Sequence, residues 1–270
     1  MASYDVRLFI SDVDGTLLNT QKQVSPATEA AIKKLELGGI RFSLVSSRPA
    51  KGLKWLIDLL SIEGPCAALN GGTIIDSRLS VLSKRHIEAE IVQTIIETIE
   101  NYGMDPWIYT EADWYVRRVD APHVRHESEA VRFVPQLFTM VNNIRDPVIK
   151  ISGLSDDYAS VAAGAVRLGS LLKDQLSIST SLANRLDVTH HAANKGQAII
   201  AIANELSIPL RNVATAGDGE NDIPMFRECG LSIAMGQAPP EVHRAASYTT
   251  TSNGQDGLAW AIEEIILKQH

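Results

Sequence analysis

Between Val6 and about Leu69 the chain alternates short apolar runs with helix signals, abandons that rhythm, and takes it up again at Lys195. Residues 6–11 (VRLFIS) suit a strand buried on both faces. Ser25-Pro26 supplies an N-cap and a proline at the first helical position, and Gly38-Gly39 ends that helix. A second strand follows at 40–46 (IRFSLVS), a helix from Pro49 to about Leu60, and a third strand at 66–69 (CAAL) before the turn Asn70-Gly71-Gly72. This order predicts right-handed crossovers and a parallel sheet.

The middle of the chain reads differently. A helix with Ile91, Ile95, Ile96 and Ile99 on one side spans about 87–102. Strands are expected at 107–110, 114–119, 147–152, 175–180 and 185–189, with a helix at about 156–172. Adjacent strand pairs with helices grouped between them predict an α+β module with an antiparallel sheet. From Lys195 the α/β pattern resumes: helix to about Leu206, strand 212–216, helix after Asn221, strand 231–234, helix 239–245, a strand near Tyr248 and a last helix at 256–268. The expected fold is therefore an α/β, Rossmann-like parallel-sheet core built from 1–81 and 188–270. It is interrupted by an inserted α+β cap at 82–187, with hinges near 80–84 and 186–190.

At 270 residues, two unequal domains are the natural expectation. The net charge of −7, without a Lys/Arg run, argues against nucleic acid as a partner. An acidic protein that binds an anion must gather local positive charge or a metal at its site. Cys66 and Cys229 stand apart and read as free thiols, the start of the chain does not read as a signal peptide, and no stretch of 18 apolar residues exists. A cytoplasmic protein without a membrane partner is expected, as a monomer or small homo-oligomer.

Four constellations carry chemistry. Asp12-Val13-Asp14-Gly15-Thr16 directly follows the first strand, and strand alternation lets Asp12 and Asp14 point one way while Val13 points into the core. Carboxyl ends of parallel strands form the ligand crevice, where two carboxylates can divide into nucleophile and proton donor. A polar strand-to-loop turn is the plainer alternative; a calcium loop would need glycine at Leu17 and a carboxylate or Asn at Thr16. Gly217-Asp218-Gly219-Glu220-Asn221-Asp222 also follows an apolar strand. Such crowded acids raise one another's pKa unless a hard cation offsets them, and oxygen-only ligands favour Mg2+ over zinc. Lys195, in Asn194-Lys195-Gly196 at a helix start, can oppose a phosphoryl group. Ser46-Ser47-Arg48, after the second strand, offers a hydroxyl and backbone N–H groups to phosphate oxygens. All four sit at strand ends or the adjoining helix start and can converge on one crevice. No nucleotide-triphosphate or dinucleotide glycine loop is present.

In order, DVDGTLL, VSSR, NK and GDGEND resemble the four signature motifs of the haloacid dehalogenase superfamily. NGG before the insert and AMGQAPPEVHRAA near the end are similar to the Cof-type phosphatase subfamily, while the insert matches in layout more than in residues. The resemblance implies Mg2+-dependent hydrolysis of a small phosphorylated metabolite, a sugar phosphate or similar phosphomonoester. Asp12 would be the nucleophile that becomes an aspartyl-phosphate and Asp14 the general acid/base. Mg2+ would be held by Asp12, the backbone carbonyl of Asp14 and Asp218, with Asp222 in support. Ser46 and Lys195 would bind the phosphoryl group, with Ser47, Asn70, Gly71 and Asn221 in supporting contact. Ser47 stands where the subfamily usually has Gly, which predicts a more restricted loop, and Gln237 replaces a common Asn. A phosphomutase would share every catalytic residue, and a regulator that only binds phosphate or metal is the alternative from another class. Within the insert, Arg185 is the preferred cap contact; His123, His126, Arg117, Arg118, Arg125, Arg132 and Lys150 read by default as solvated, and His190-His191 as unlikely joint metal ligands.

Overall fold

The first strand lies inside a parallel sheet, with a neighbour on each side and helices over both faces, so all four of its residues are buried. The computed structural model describes residues 5–269. Along the chain run β1 (Leu8–Ser11), α1 (Pro26–Leu37), β2 (Arg41–Leu44), α2 (Ala50–Leu59), β3 (Cys66–Ala68), β4 (Thr73–Ile75) and β5 (Val81–Lys84). Next come α3 (Ala89–Asn101), β6 (Asp105–Tyr109), β7 (Trp114–Val116), α4 (Pro122–Val131), β8 (Gln136–Leu137), β9 (Lys150–Leu154), α5 (Tyr158–Leu172), β10 (Leu176–Leu182) and β11 (Arg185–His190). The chain closes with α6 (Lys195–Glu205), β12 (Val213–Gly217), α7 (Ile223–Glu228), β13 (Leu231–Ala234), α8 (Pro240–Ala245), β14 (Tyr248–Thr249) and α9 (Gly257–Ala261), which continues to Gln269 as π and 3-10 turns. None of these helices is long and apolar enough to cross a membrane.

The core sheet has the order β14-β13-β12-β1-β2, parallel throughout. Alternation assigns its two faces: Phe9, Phe42 and Leu44 pack with Ile32 and Leu35 of α1, Leu53 and Leu56 of α2 and Leu258 of α9. Leu8, Ile10 and Val213 pack instead with Ile199 and Ile202 of α6 and Met225 of α7. The result is a helix–sheet–helix sandwich. Register matters for function. Ser11 pairs with both Ala216 and Leu44, so the residues that follow β1, β12 and β2 emerge side by side at one edge.

The third strand departs from expectation. It meets the parallel sheet only through a Val45–Ala67 bridge and instead leads an antiparallel sheet, β3-β4-β5, whose last two strands the apolar pattern did not reveal. The reversal is made by three successive left-handed residues, Leu69 (φ 53°), Asn70 (φ 57°) and Gly71 (φ 88°). Asn tolerates that region and Gly prefers it. At Gly71 the space demands glycine as well, because a Cβ would lie 2.7 Å from the Asn194 carbonyl.

The insert forms a six-stranded sheet, β10-β11-β9-β6-β7-β8, antiparallel except for the β7–β8 pair. Helix α4 and strand β8 were not foreseen, since neither carries a clear apolar period. Ile108, Ile151, Leu186 and Val188 point to α3 and α5 on the outer face. Trp107, Tyr109 and Trp114 point inward, where they join the core cluster that includes Leu53 and Leu56 of α2. Trp114 stacks on Tyr109 and meets Trp107 edge-on. The hinge positions read from the sequence fall inside strands: β5 pairs with β4 through Lys84, and β11 stays in the inserted sheet through His190. The connections outside both sheets are residues 85–88 and 191–194.

Ile151, fully buried between the inserted sheet and its two helices, tests this assignment of faces. Ile151→Ala is expected to lower stability in urea unfolding by about 2–5 kcal/mol; a change below about 0.5 kcal/mol would contradict the packing.

Candidate active site

Lys195 opens α6 beneath the ends of β1 and β12, where Asn194 caps the helix by accepting from Gln197 N. Its ammonium is buried and lies 2.6 Å from Asp12 Oδ1 and 2.5 Å from Asp222 Oδ1. The other oxygen of Asp222, Oδ2, accepts from the backbone N–H groups of Asp218 and Gly219, each at 2.9 Å. Asp222 thus folds the Gly217–Asp222 loop around itself while steadying Lys195. Asp218 accepts from Thr16 Oγ1 at 3.1 Å. Gly15 (φ +90°) makes this approach possible, since a Cβ there would sit 2.1 Å from Asp218 Oδ2.

Ligand oxygens of Asp12, Asp218 and Asp222 all lie within 4.8 Å of one another. Burial pushes the Asp12 carboxyl well above its usual pKa, and the charges of Asp222 and Asp218 add to that against the pull of Lys195. Burial, then the Asp222 charge, pushes Asp218 up to about 6. Lys195 moves the other way: burial opposes its charge, but the two carboxylates outweigh burial and keep it protonated far up the pH scale. Three carboxylates around one ammonium leave excess negative charge in a buried site. Oxygen donors without His or Cys in the group suit a hard divalent cation such as Mg2+.

While Val13 is fully buried between the two aspartates, Asp14 faces the same crevice as Asp12, as the alternation predicts. Its carboxylate meets Arg48 in a fork, Nε to Oδ2 at 2.7 Å and Nη2 to Oδ1 at 2.9 Å, and also accepts from Lys22 Nζ at 2.9 Å. Burial alone would raise the Asp14 carboxyl, but the hydrogen bonds and charges of Arg48 and Lys22 prevail and hold it well below the usual carboxylate range. Arg48 reaches on to the Ala130 carbonyl of α4 at 2.7 Å, which joins the core loop to the insert.

Of the other expected site residues, Ser46 is buried, with its Oγ accepting from Arg48 N at 3.1 Å. Ser47 borders the cavity above Asp12 and Asp14 and is not in the left-handed region, so serine replaces glycine there without strain. Asn70 Oδ1 accepts from Asn221 Nδ2 at 3.2 Å, which brings those two together. Gly71 sits against Asn194 and does not border the cavity above Asp12 and Asp14. Gln237 donates to the Gly15 carbonyl at 2.6 Å and accepts from Asn253 N at 3.0 Å, tying the first motif to the C-terminal loops.

A cavity of about 150 Å³ lies above Asp12, Asp14, Lys195 and Asp218, roofed by His123, His126 and Glu127 of α4 and by Arg185 of β11. Arg185 is buried and paired with Glu127 at 2.7 Å, while its Nε has no hydrogen-bond partner. Beside the cavity, Lys150 and Asp187 form a wholly buried pair at 2.9 Å. Burial lowers the Lys150 pKa, whereas Asp187 is held low despite burial by Lys150 and Arg185. Lys150 was expected to be solvated, whereas Arg185, the expected cap contact, does border the cavity. The alternation in RLDVTH (185–190) does mark a polar face, and that face is turned toward the core instead of toward water. Lys22, Glu127 and Asp187 had not been singled out for the site, and Arg48 stood in an expected motif without a role for its guanidinium.

Because Asp218 has a folded pKa near 6 against an ordinary 3.8, its protonated form favours the fold. In EDTA, that stability is expected in full below about pH 4 and to fall by roughly 2–3 kcal/mol as pH rises through 6. Asp12 acts in the same direction, and Asp218→Asn should flatten the slope in urea titrations. A metal-free wild type that gains stability over that interval would contradict the arrangement.

A model of the haloacid dehalogenase-like hydrolases matches residues 9–262. A Haemophilus influenzae protein is 31% identical over 260 residues, spanning 94% of this chain and 96% of its own. A 5-amino-6-(5-phospho-D-ribitylamino)uracil phosphatase of Bacillus subtilis is 26% identical over 263 residues, 97% of each chain. The crystal structure of a haloacid dehalogenase-like hydrolase from Bacteroides thetaiotaomicron matches with a TM-score of 0.84 at 26% identity, over 97% of this chain and 100% of its own. With the four motifs converging on one crevice, the chain belongs to the haloacid dehalogenase-like hydrolase family and is an enzyme of that class.

Proposed function

We propose that this hydrolase is a Mg2+-dependent phosphatase that cleaves a small phosphomonoester through an aspartyl-phosphate on Asp12. The observation that carries this reading is the buried Lys195 ammonium held between Asp12 and Asp222, with Asp218 close enough to share a cation. The phosphatase activity named for the B. subtilis relative supports the same class of reaction. We assign the cation to Asp12, Asp218 and the Asp14 backbone carbonyl, because both oxygens of Asp222 are already engaged by Lys195 and two backbone N–H groups. Bound there, Mg2+ supplies charge that offsets the phosphoryl oxygens.

With Oδ1 of Asp12 held by Lys195, Oδ2 is the oxygen we assign to attack phosphorus while the ester oxygen leaves. Asp14 delivers the proton to that leaving oxygen and then takes one from the water that cleaves the acyl phosphate. As a base Asp14 is ready, since Arg48 and Lys22 hold it ionised. As an acid it must first exchange Arg48 for a proton, and an incoming phosphate ester is the competitor that can draw the guanidinium away. Ser46, Ser47, Asn70 and Asn221 support the phosphate side, and the roof formed by α4 and β11 excludes bulk water. We place the core at residues up to about 84 and from about 191, with the cap between.

A generic aromatic phosphate ester, assayed with and without Mg2+, tests this reading. The wild type should release phosphate only with the metal, and Asp12→Asn should lose more than about 10³-fold in kcat. Asp14→Asn should lose about 10²–10⁴-fold. No phosphate release by the wild type with any divalent metal would sink the proposal, and an active Asp12→Asn would remove the nucleophile.

A further inference from the structure

The ion pair between Lys150 and Asp187 is the most fully buried in the molecule among the described residues, with both side chains at 0% exposure. Such a pair is a poor source of stability, because the loss of hydration offsets the attraction and apolar residues of similar volume serve about as well. Its remaining hydrogen bonds reveal where it acts. Lys150 Nζ, on β9, donates to the Ser47 carbonyl in the core at 3.1 Å. Asp187 Oδ2, on β11, accepts from Asn70 Nδ2 at 3.3 Å, and Asn70 in turn accepts from Asn221. Only Ser152 Oγ, which donates to Asp187 Oδ1 at 2.6 Å, returns a bond to the pair from within the insert. Neither charged residue borders the cavity above Asp12 and Asp14, so neither is placed to touch substrate.

We infer that Lys150 and Asp187 are positioning residues, a buried pair carried by the insert that sets the Ser47 carbonyl and the Asn70 carboxamide when the inserted sheet is seated on the core. The inference rests on the phosphatase reading above. Ser47 belongs to the loop after β2, and Asn70 to the strained turn after β3 whose backbone N–H already donates to the Ser46 carbonyl at 2.8 Å. That turn contains Leu69 in a left-handed conformation unfavourable for a leucine, so it keeps its shape only while its surroundings hold it. With the insert lifted away, the carbonyl and the carboxamide would lose those partners to water, and the phosphate side of the site would lose its fixed geometry. Seating the insert and assembling the phosphate side thus become one event.

The double variant Lys150→Met/Asp187→Leu separates this role from a structural one, since it removes both charges together and leaves neither buried alone. The expected result is a urea midpoint close to wild type, kcat/KM for an aromatic phosphate ester lowered at least tenfold, and a Ki for inorganic phosphate raised by a similar factor. A stable double variant whose kcat/KM and Ki stay within twofold of wild type would overturn the inference. Should that variant fail to fold, the nearly isosteric Asp187→Asn takes its place; it should lower kcat/KM at least threefold, and unchanged values overturn the inference equally. A wild type that releases no phosphate sinks the phosphatase reading and the positioning role with it. An active wild type matched by its variants sinks the positioning role alone.

Discussion

The contact on which the rest of the site depends is the buried Lys195 ammonium shared by Asp12 and Asp222. An ammonium out of water is costly unless it is paired, and here it has two carboxylates from different strand ends. Each belongs to a separate segment: Asp12 follows β1, Asp222 closes the loop after β12, and Lys195 begins α6. The parallel register that sets Ser11 beside Ala216 is therefore a requirement of the chemistry as much as of the sheet. Asp222 cannot be exchanged for another acid of the loop, because its second oxygen is what the Asp218 and Gly219 N–H groups converge on.

Two aspartates separated by one buried valine are driven in opposite directions. Asp12 sits with other carboxylates and is pushed toward holding a proton; Asp14 sits with Arg48 and Lys22 and is held ionised. Opposed environments for neighbouring titratable groups are how one site obtains distinct roles from identical side chains. The alternation of a strand end turns Val13 into the core and leaves both carboxylates at the crevice, where their neighbours separate them, Lys195 for Asp12 and Arg48 with Lys22 for Asp14. Arg48 adds a consequence, because its bond to the Ala130 carbonyl ties the state of Asp14 to the position of α4.

Much of the core was legible in the sequence for a simple reason. Its strands are apolar on both faces, its helices begin with residues such as Ser25 and Asn194 that cap them, and its acids follow directly on buried runs. Lys195, Asp12, Asp218 and Asp222 could be brought together from that order alone. The insert was less legible because its strands alternate. RLDVTH has the pattern of an antiparallel strand with one face in water, and nothing local distinguishes water from a second protein layer. Lys150 and Asp187 were hidden by that ambiguity, as was Glu127, which lies on a helix with no strong apolar stripe. The β3–β5 sheet escaped notice for another reason: its geometry is set by three left-handed residues, only two of which, Asn70 and Gly71, are of types that announce such a turn.

The inward face of the inserted sheet combines two kinds of contact with different physical effects. Trp107, Tyr109 and Trp114 lay a broad apolar area against the cluster around α2, which favours association but tolerates sliding. Lys150 and Asp187, paired with each other inside the insert, do not tolerate it, because their bonds to the Ser47 carbonyl and the Asn70 carboxamide of the core are directional and buried. Apolar area thus supplies the adhesion and buried polar pairs supply the register. Partial seating over Asp12 is disfavoured because it would leave the Ser47 carbonyl and the Asn70 carboxamide buried without those partners.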